Sequence, residues 1–503
     1  MVIEKNKKID FKYILGAYAV ILMLLCAGSS PLVEYLSPDS SIFYTMGRSA
    51  ANGTVLYKEI ADHKGFYLFA FNWLGAWLTP GSMNGLLLVE ILFAWIKLVF
   101  VYEIAKLYVI KKKNAFLVSV AFMVIATNFL SWNTGNLGEQ FALAFQLISM
   151  YYIAKYLKCY ELEGKFKEHN WQYMFVHGLV AGIVLFIQAN LIAMWIPFGV
   201  GLAIVLIKNR YIKNFLHNLY ALFAGVGIAF LPVLLYGLVN DCVEDMYYVM
   251  FEINFMYSAD GRNGKNVLVY LADFICSPSG IIVLLAIVGV AIVCKYYKEI
   301  HICITGIGML VFSIICMSVS LNPNPIYYTV YIPFIIPFLI WLSKFSRERW
   351  ILLECLILLG MTVICNLQLV KKVLHLGSSG YAYESAYQMK ELIEDKEANV
   401  LVLGNCMYYN CTDTLPHIKY FTIFGSGLKY ETFPYCIDEQ FDSLCSLENE
   451  YIMIEYKDNG YSFWDDEQRN RTMNHILEKN YDLKLEYNAG GIHSALWQKS
   501  NQD

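Results

Sequence analysis

The sequence predicts an all-α polytopic membrane protein that carries a small exported α/β domain at its C-terminus. Three observations support this expectation. Hydrophobic types make up 57% of the 503 residues and charged types 16%, with a mean hydropathy of +0.45. A soluble domain runs about 45–50% apolar and about 25% charged. Apolar stretches long enough to cross a bilayer recur along the body of the chain. Charge is also unevenly placed: residues 1–375 hold 28 Lys and Arg against 21 Asp and Glu, whereas residues 376–503 hold 10 against 21. This composition excludes a soluble enzyme, a disordered chain and a nucleic-acid binder. The charge step sets a domain boundary near residue 376, so the domains are 1–375 and 376–503.

Eleven stretches fit a span: 11–28, 84–109, 114–132, 141–158, 171–189, 191–207, 216–238, 279–297, 301–320, 326–343 and 350–370. Lys5, Lys7, Lys8 and Lys12 precede the first, which reads as a retained helix and not a cleaved signal peptide. Gln188 and Asn190 mark a very tight turn within 171–207, where one broken element competes with two spans. Lys and Arg collect on one side: the N-terminal lysines, Lys111–Lys113, Lys155 to Lys167, Lys208 to Lys213, Lys295 and Lys298, then Lys344, Arg347 and Arg349. The loops at 133–140 and 321–325 have none. The positive-inside rule therefore puts the N-terminus in the cytoplasm of an integral plasma-membrane protein and exports the tail.

Two exported loops are long, 29–83 and 239–278. Within the first, 66–78 is too short to span and suits an interfacial or re-entrant helix. The tail reads as α/β: helices at Tyr381–Asp395 and Asp465–Asn480, and strands at Asn399–Gly404, Ile418–Phe424, Tyr451–Tyr456, Asp482–Tyr487 and Ser494–Gln498. No dinucleotide or Walker glycine pattern occurs. The 13 cysteines show no zinc spacing; a disulfide among Cys406, Cys411, Cys436 and Cys445 stays open.

Candidate chemistry sits in the exported loops. Asp39, Arg48, Asp62, His63 and Lys64 gather carboxylates and cations at a membrane surface. A carboxylate can deprotonate a sugar hydroxyl, and a Lys or Arg can hold a departing phosphate. Ordinary solvated loop charge explains the same residues from composition alone. Glu139 opens the fourth span, where a helix-start preference competes with a site near Asp39. The loop 239–278 offers Glu244, Asp245, Glu252, Asn254, Tyr257, Arg262 and Lys265, against surface solvation. Asn322–Tyr328 opens the tenth span; Tyr327 and Tyr328 suit either belt aromatics or a sugar-binding face.

Taken together, these segments resemble a known family. A basic start and one span lead to Pro38-Asp39, then Gly47, Gly53 and Tyr57, then Asp62-His63-Lys64-Gly65 ahead of an apolar stretch. Glu139 follows, then Tyr327-Tyr328 leading to Pro333, and an exported tail opening with VLVLG. This is similar to the glycosyltransferase family 39 group of GT-C enzymes, which includes protein O-mannosyltransferases and lipid A aminoarabinose transferase. The resemblance implies a GT-C-like membrane domain whose catalytic loop is 29–83, and inverting sugar transfer on the exported face from a polyprenyl-phosphate sugar. It makes Asp39 the general base, Lys64 and Arg48 the donor-phosphate ligands, and Glu139 a positioner of the acceptor or of a cation. Asp62, His63, Tyr327 and Tyr328 would position substrate. The chain departs from the group at Gly65-Phe66, where Pro is frequent, and at His63, where some members have an acidic metal ligand. A divalent metal is thus left open, with no other cofactor implied. The acceptor is unspecified: a protein, a wall polymer of the cell envelope or another membrane lipid.

A transporter or flippase of lipid-linked sugars is the competing class. Such proteins put charges inside spans and often show repeats. Glu90, Lys97, Glu103 and Glu354 are the mid-span charges here, and no repeat is visible. A wall-polymer ligase of another fold and a non-catalytic assembly subunit are weaker alternatives.

Overall fold

The structure is a computed structural model that describes residues 11–127, 132–262, 266–319, 321, 324–346, 350–366, 378–393, 395–422, 433–456, 463–464 and 466–500. Several sequence expectations lie outside these residues: Lys5 to Lys8, Lys265, Asn322-Pro323, Arg347, Arg349, the boundary near 376, the end of the strand expected at 418–424, and the side chains of Tyr257 and Arg262.

Helix α1 (Phe11–Cys26) leads into the first long loop, which folds as α2 (Pro38–Ala51) and α3 (Phe66–Leu78). Then follow α4 (Asn84–Lys106), α5 (Lys112–Ala126), α6 (Gly138–Glu163) and α7 (Trp171–Leu185). A break at 186–188 and a 3-10 turn at Ala189–Ile192 precede α8 (Trp195–Lys208), so 171–207 is two elements with an interruption. Helix α9 (Ile212–Val239) packs along α7. The second long loop is helical too: α10 (Val243–Tyr247), a π turn at Tyr248–Glu252, α11 (Ile253–Arg262) and α12 (Val267–Cys276). The last apolar elements are α13 (Gly280–Tyr297), α14 (Ile300–Met317), a 3-10 stretch at Pro325–Ile335, α15 (Ile336–Ser343) and α16 (Ile351–Asn366).

A helix lies over each of the eleven apolar stretches. Among the described residues, six units are long and apolar enough to cross a membrane: α4, Ala189–Lys208, α9, α13, α14 and Pro325–Ser343. The expected count of about eleven therefore stands at six by this measure. The shortfall has physical causes. Helices α1 and α7 are apolar but have 16 and 15 residues, and α5 has 15. Helix α6 is long, but Glu139, Gln140, Gln146 and a charged C-terminal end dilute its apolar character.

Buried polar groups tie the first long loop to the loop before α6. Glu90, in α4, accepts a hydrogen bond from the Asn136 backbone N–H at 2.8 Å and another from the Ser29 hydroxyl. Residues Asn133, Thr134, Gly135 and Asn136 all have positive φ, a costly run for non-glycine residues. Gly135 is required in that run: its φ is +88°, and a Cβ there would stand 2.3 Å from Glu90 Oε1. Asn136 Nδ2 donates to Asn72 Oδ1 (2.8 Å) and to Ser40 O (3.2 Å), and Ser40 Oγ donates to Gly135 O (2.7 Å). Lys97, also buried, reaches Gln140 O at 3.5 Å and lies 5.5 Å from the Trp132 ring. The loop that starts α6 is therefore pinned to the start of α2.

The tail forms a four-stranded sheet of order β1-β2-β4-β3, built from β1 (Val400–Leu403), β2 (Tyr451–Glu455), β3 (Tyr481–Ala489) and β4 (Ile492–Lys499). β1 and β2 pair in parallel; the other pairs are antiparallel. Helices α17 (Ser378–Leu392), α18 (Met407–Thr412), α19 (Tyr435–Cys445) and α20 (Glu467–Asn480) accompany it. No strand forms at 418–422, because the Lys419 and Tyr420 N–H groups donate to the Glu439 carboxylate instead of a ladder. Cys406, Cys411 and Cys445 carry free thiols.

The tail grips the first long loop through Arg48. Its Nη2 pairs with Asp413 Oδ1 at 2.7 Å, and its Nη1 donates to Tyr409 O at 2.8 Å. Asn410 Nδ2 donates to Ser41 O, Ala61 N to Lys419 O, and Leu36 N to the Tyr383 hydroxyl oxygen. Arg48 is thus committed to the tail, so its expected part as a donor-phosphate ligand finds no geometry here. Removing one member of a mostly buried pair costs about 3 kcal/mol, at the low end because Asp413 keeps Lys396. Arg48→Ala should therefore raise hydrogen exchange across 405–414 and 34–36, and Asp413→Ala should reproduce the effect. Unchanged exchange in both would refute this docking role.

Candidate functional site

Asp39 occupies the first turn of α2. Ser37 caps that helix and Pro38 fills its first position, where a missing N–H is harmless. Asp39 is half-buried. The pinned 133–137 loop starts α6 close by, with Glu139 in its first turn, just before the span at 141–158. Glu139 is buried, and its Oε1 has no hydrogen-bond partner. Burial pushes its carboxyl up, against the opposing effect of Lys64, while the Asp39 charge pushes it further up. Asp39 and Lys64 therefore both lie within electrostatic range of the Glu139 carboxyl.

Lys64 reaches that site from a tightly built turn. Asp62, fully buried, accepts the Lys64 backbone N–H on Oδ1 at 3.1 Å, an Asx-type turn. Its Oδ2 lies 3.5 Å from His63 Nδ1. Tyr57 donates its hydroxyl to Lys64 O at 3.0 Å, and Asn254 Nδ2 donates to His63 O at 2.6 Å. Gly65 N then donates to Ile187 O and Tyr67 N to Phe186 O, at 2.9 and 3.0 Å. A Cβ on Gly65 would stand 2.2 Å from Phe186 O, which explains glycine where the resembled family often has proline. The Lys64 ammonium donates to Gln188 Oε1 at 3.2 Å.

A cavity of about 280 Å³ opens beside Lys64. Its polar side is His63, Lys64, Gln188, Asn190 and Asn254; its apolar walls include Phe186, Met250, Phe251, Phe255 and Met317, with Tyr327 at one edge. Asn190 Oδ1 is buried without a partner. An ammonium held in a largely apolar cleft suits an amphiphile with an anionic head.

The expected site residues thus separate. Asp39 and Lys64 lie within electrostatic range of Glu139, and Lys64, His63 and Tyr327 line the cavity. Asp62 faces inward and shapes the turn instead of the cavity. Tyr328 is a packing residue: it donates to Phe274 O at 2.6 Å and stacks on the Phe274 ring at 4.6 Å. Gln188 and Asn190 were legible only as a turn, although polar residues interrupting an apolar run are the signal for such a site. Among the described residues, no three His, Cys, Asp or Glu side chains gather as a metal set. The side chains present do not fit a protein-held divalent ion, and no step is derived through one.

Gly65→Ala must push the Lys64 turn off Phe186 and should destabilise the protein by about 1–3 kcal/mol, read as a fall in unfolding temperature in detergent. Unchanged stability would contradict this packing. Burial pushes the Asp62 carboxyl up, but the His63 and Lys64 charges and hydrogen bonds outweigh it and hold it below its ordinary value. Asp62 then adds stability above its unfolded value, and that stability is lost as pH falls through the lower folded value. The stability gap between wild type and Asp62→Asn should therefore shrink below the ordinary carboxylate range; a gap that widens in acid would reverse the assignment.

Among solved structures, the chain is similar to the Archaeoglobus fulgidus oligosaccharyltransferase in its apo form, at 12% identity and a TM-score of 0.49, covering 99% of this chain and 76% of that one. It is also similar to AglB from the same organism in complex with an inhibitory peptide and a dolichol-phosphate, at 12% identity and a TM-score of 0.47, covering 98% and 74%. Likenesses at this level are too slight to carry an argument about this chain. No curated protein matches it. A family model does match, over residues 4–348, and the chain belongs to that family, described as "Putative competence-induced protein Ccs4 N-terminal domain".

Proposed function

We propose that the chain is a GT-C membrane glycosyltransferase of the family 39 kind, moving a sugar from a polyprenyl-phosphate donor to an acceptor hydroxyl on the exported face. The observation that supports this reading is a cavity with apolar walls whose polar side carries the Lys64 ammonium, held on Gln188, with Asp39 and Glu139 in the first turns of α2 and α6. The N-terminus is cytoplasmic and the tail exported, in keeping with the Lys and Arg bias of the loops.

The chemistry follows from the groups present. The acceptor oxygen attacks the anomeric carbon from the face opposite the phosphate, so configuration inverts. Its proton passes to the Asp39 carboxylate. The bond between the anomeric carbon and the phosphate oxygen breaks, and polyprenyl phosphate departs. Negative charge grows on that oxygen, and a fixed ammonium lowers the barrier by meeting it. Lys64 would supply that ammonium, and its bond to Gln188 uses one of its three N–H donors. The cavity walls accept the first isoprenoid units. The buried Glu139 carboxyl orients the acceptor through its free oxygen.

The transporter reading loses its main support. Glu90 and Lys97 are held by backbone groups and by Trp132, and Glu103 pairs with Lys12 and Lys106. Purified protein supplied with a panel of polyprenyl-phosphate sugars and a membrane extract should transfer label. Asp39→Asn, folded, should lose about a hundredfold or more of the rate, the span of one general base. Normal transfer by that variant would remove Asp39 from the role. No transfer from any donor by wild type would return weight to transport.

A further inference from the structure

We propose that the end of the helix bundle away from Lys64 holds an anionic diacyl phospholipid, with one acyl chain in each of two adjoining clefts and its phosphate met by Lys344. The site is separate from the proposed sugar transfer and stands whether or not that reading holds.

Two apolar clefts lie side by side there. One, of about 200 Å³, runs between α4, α6, α13 and α15, and Lys344 is the charged residue in its lining. The other, of about 130 Å³, runs between α6, α8, α13 and α14, and His301 is the basic residue in its lining. Met150, Ile153, Leu157, Val293 and Pro337 line both, so the clefts share a wall. His301 lies in the first turn of α14, and Met317, in the wall of the Lys64 cavity, ends that helix. Sixteen residues of helix separate them, which is about 24 Å of rise. The hydrocarbon core of a bilayer is about 30 Å thick. The clefts and the Lys64 cavity therefore open into opposite leaflets.

The clefts end among cations that lack an anion. Lys344 is exposed, and among the described residues its ammonium has no hydrogen-bond or ion-pair partner. Asn114 Nδ2 donates to Ser343 O at 2.7 Å, which fixes the start of α5 beside the end of α15. The exposed Lys112 and Lys113 thereby come to the same end of the bundle as Lys344, and no acidic residue occupies the first turn of α5. At the second cleft the Lys208 ammonium donates to His301 Nε2 at 2.9 Å, a bond that leaves the lysine charge unneutralised. Trp341 and Tyr296, each about half exposed, line the first cleft. Such rings sit at the headgroup level of a membrane. The paired clefts decide the class of lipid. An isoprenoid phosphate has one chain and would fill one cleft, whereas a diacyl lipid fills both. A choline head would set its own cation against these lysines, whereas an anionic head is drawn to them.

The test reads which lipid stands beside Trp341. Purified full-length protein is placed in bilayers of equal phosphatidylglycerol and phosphatidylcholine, with brominated chains on one lipid or the other. Bromine quenches a nearby indole, and subtracting the Trp341→Phe signal in each background isolates Trp341. Its quenching should report about a fivefold preference for phosphatidylglycerol, the scale of one lysine at an anionic head. Lys344→Arg should keep that preference, and Lys344→Gln should reduce it to that of the bulk mixture. Val293→Phe, which puts a ring into the shared wall, should abolish the preference with every lysine in place; Ile153→Phe, on the same wall, is read instead if that variant does not fold. No preference in wild type overturns the proposal. A preference that survives Lys344→Gln overturns it, because the headgroup then lies elsewhere. One that survives the filled wall overturns it too, because surface charge alone would then be drawing the lipid. The last arm adds a small fraction of unbrominated polyprenyl phosphate. Quenching by brominated phosphatidylglycerol should persist; its loss would make the occupant an isoprenoid phosphate and overturn the diacyl assignment.

Discussion

Two backbone hydrogen bonds organise the first long loop of this protein: Gly65 N–H to Ile187 O and Tyr67 N–H to Phe186 O. They join the first long loop to the interruption between α7 and α8. A broken helix leaves carbonyls without intrahelical donors, and such backbone is tolerated at membrane depth only where protein or a water-lined cavity satisfies it. The start of α3 supplies the missing donors. In return, the break holds Lys64 beside Gln188 and fixes one wall of the cavity. The contact is so close that residue 65 can carry no side chain. A proline at 65 would also remove the N–H that Ile187 requires. The local departure from the resembled family pattern is therefore a consequence of this clasp.

A second constraint sets the carboxylates. Four successive residues at 133–136 sit at positive φ, and buried Glu90 holds them there by accepting from Asn136 N and Ser29. The strained turn is compact enough to place Glu139 against the start of α2, where Asp39 lies. Its polar groups are nearly all consumed by Ser40, Asn72 and Glu90. Rigid support of this kind is what the proposed sugar transfer would require, because a shift of about 1 Å is costly to catalysis. The tail adds to it by gripping α2 through Arg48 and Asn410. Asp413 of the acidic tail meets Arg48 of the basic body there.

The sequence carried the helices well because lipid and core both demand long apolar runs, which composition displays. It carried less of the span count, since helices such as α5 and α7 fall short of the length that a window of hydropathy suggests. Asp39, Glu139 and Lys64 stood out in the sequence through spacing and family resemblance, and the structure puts Asp39 and Lys64 within electrostatic range of Glu139. Tyr57 was legible as a motif residue, but its task of holding the Lys64 carbonyl was not. Arg48 misled because a cation in a loop between apolar helices has the same appearance whether it meets a phosphate or an aspartate 365 residues away. Tyr328 misled for a similar reason: its hydroxyl goes to a backbone carbonyl on α12, a pairing that no local pattern records. The expected strand at 418–424 fell to a side-chain carboxylate that took its N–H groups. Each miss is a long-range contact overriding a sound local preference.

Charges within apolar helices usually mark a pathway for ions or substrate. Glu90 and Lys97 have a different use here. Burying either one is costly unless its lone pairs and protons are met. Glu90 meets a backbone N–H and a hydroxyl; Lys97 meets a backbone carbonyl and the face of an indole. Both sets of partners belong to the ends of the loop that builds the site, at Ser29, Trp132, Asn136 and Gln140. A transport route requires groups that exchange partners as cargo passes. These groups instead hold fixed backbone in a conformation it would not keep alone. The charge buried in α4 is thus part of the same apparatus as the carboxylates above it: the membrane helix spends its polarity on keeping a short, strained loop in place, and that loop presents Glu139 to Asp39 and Lys64.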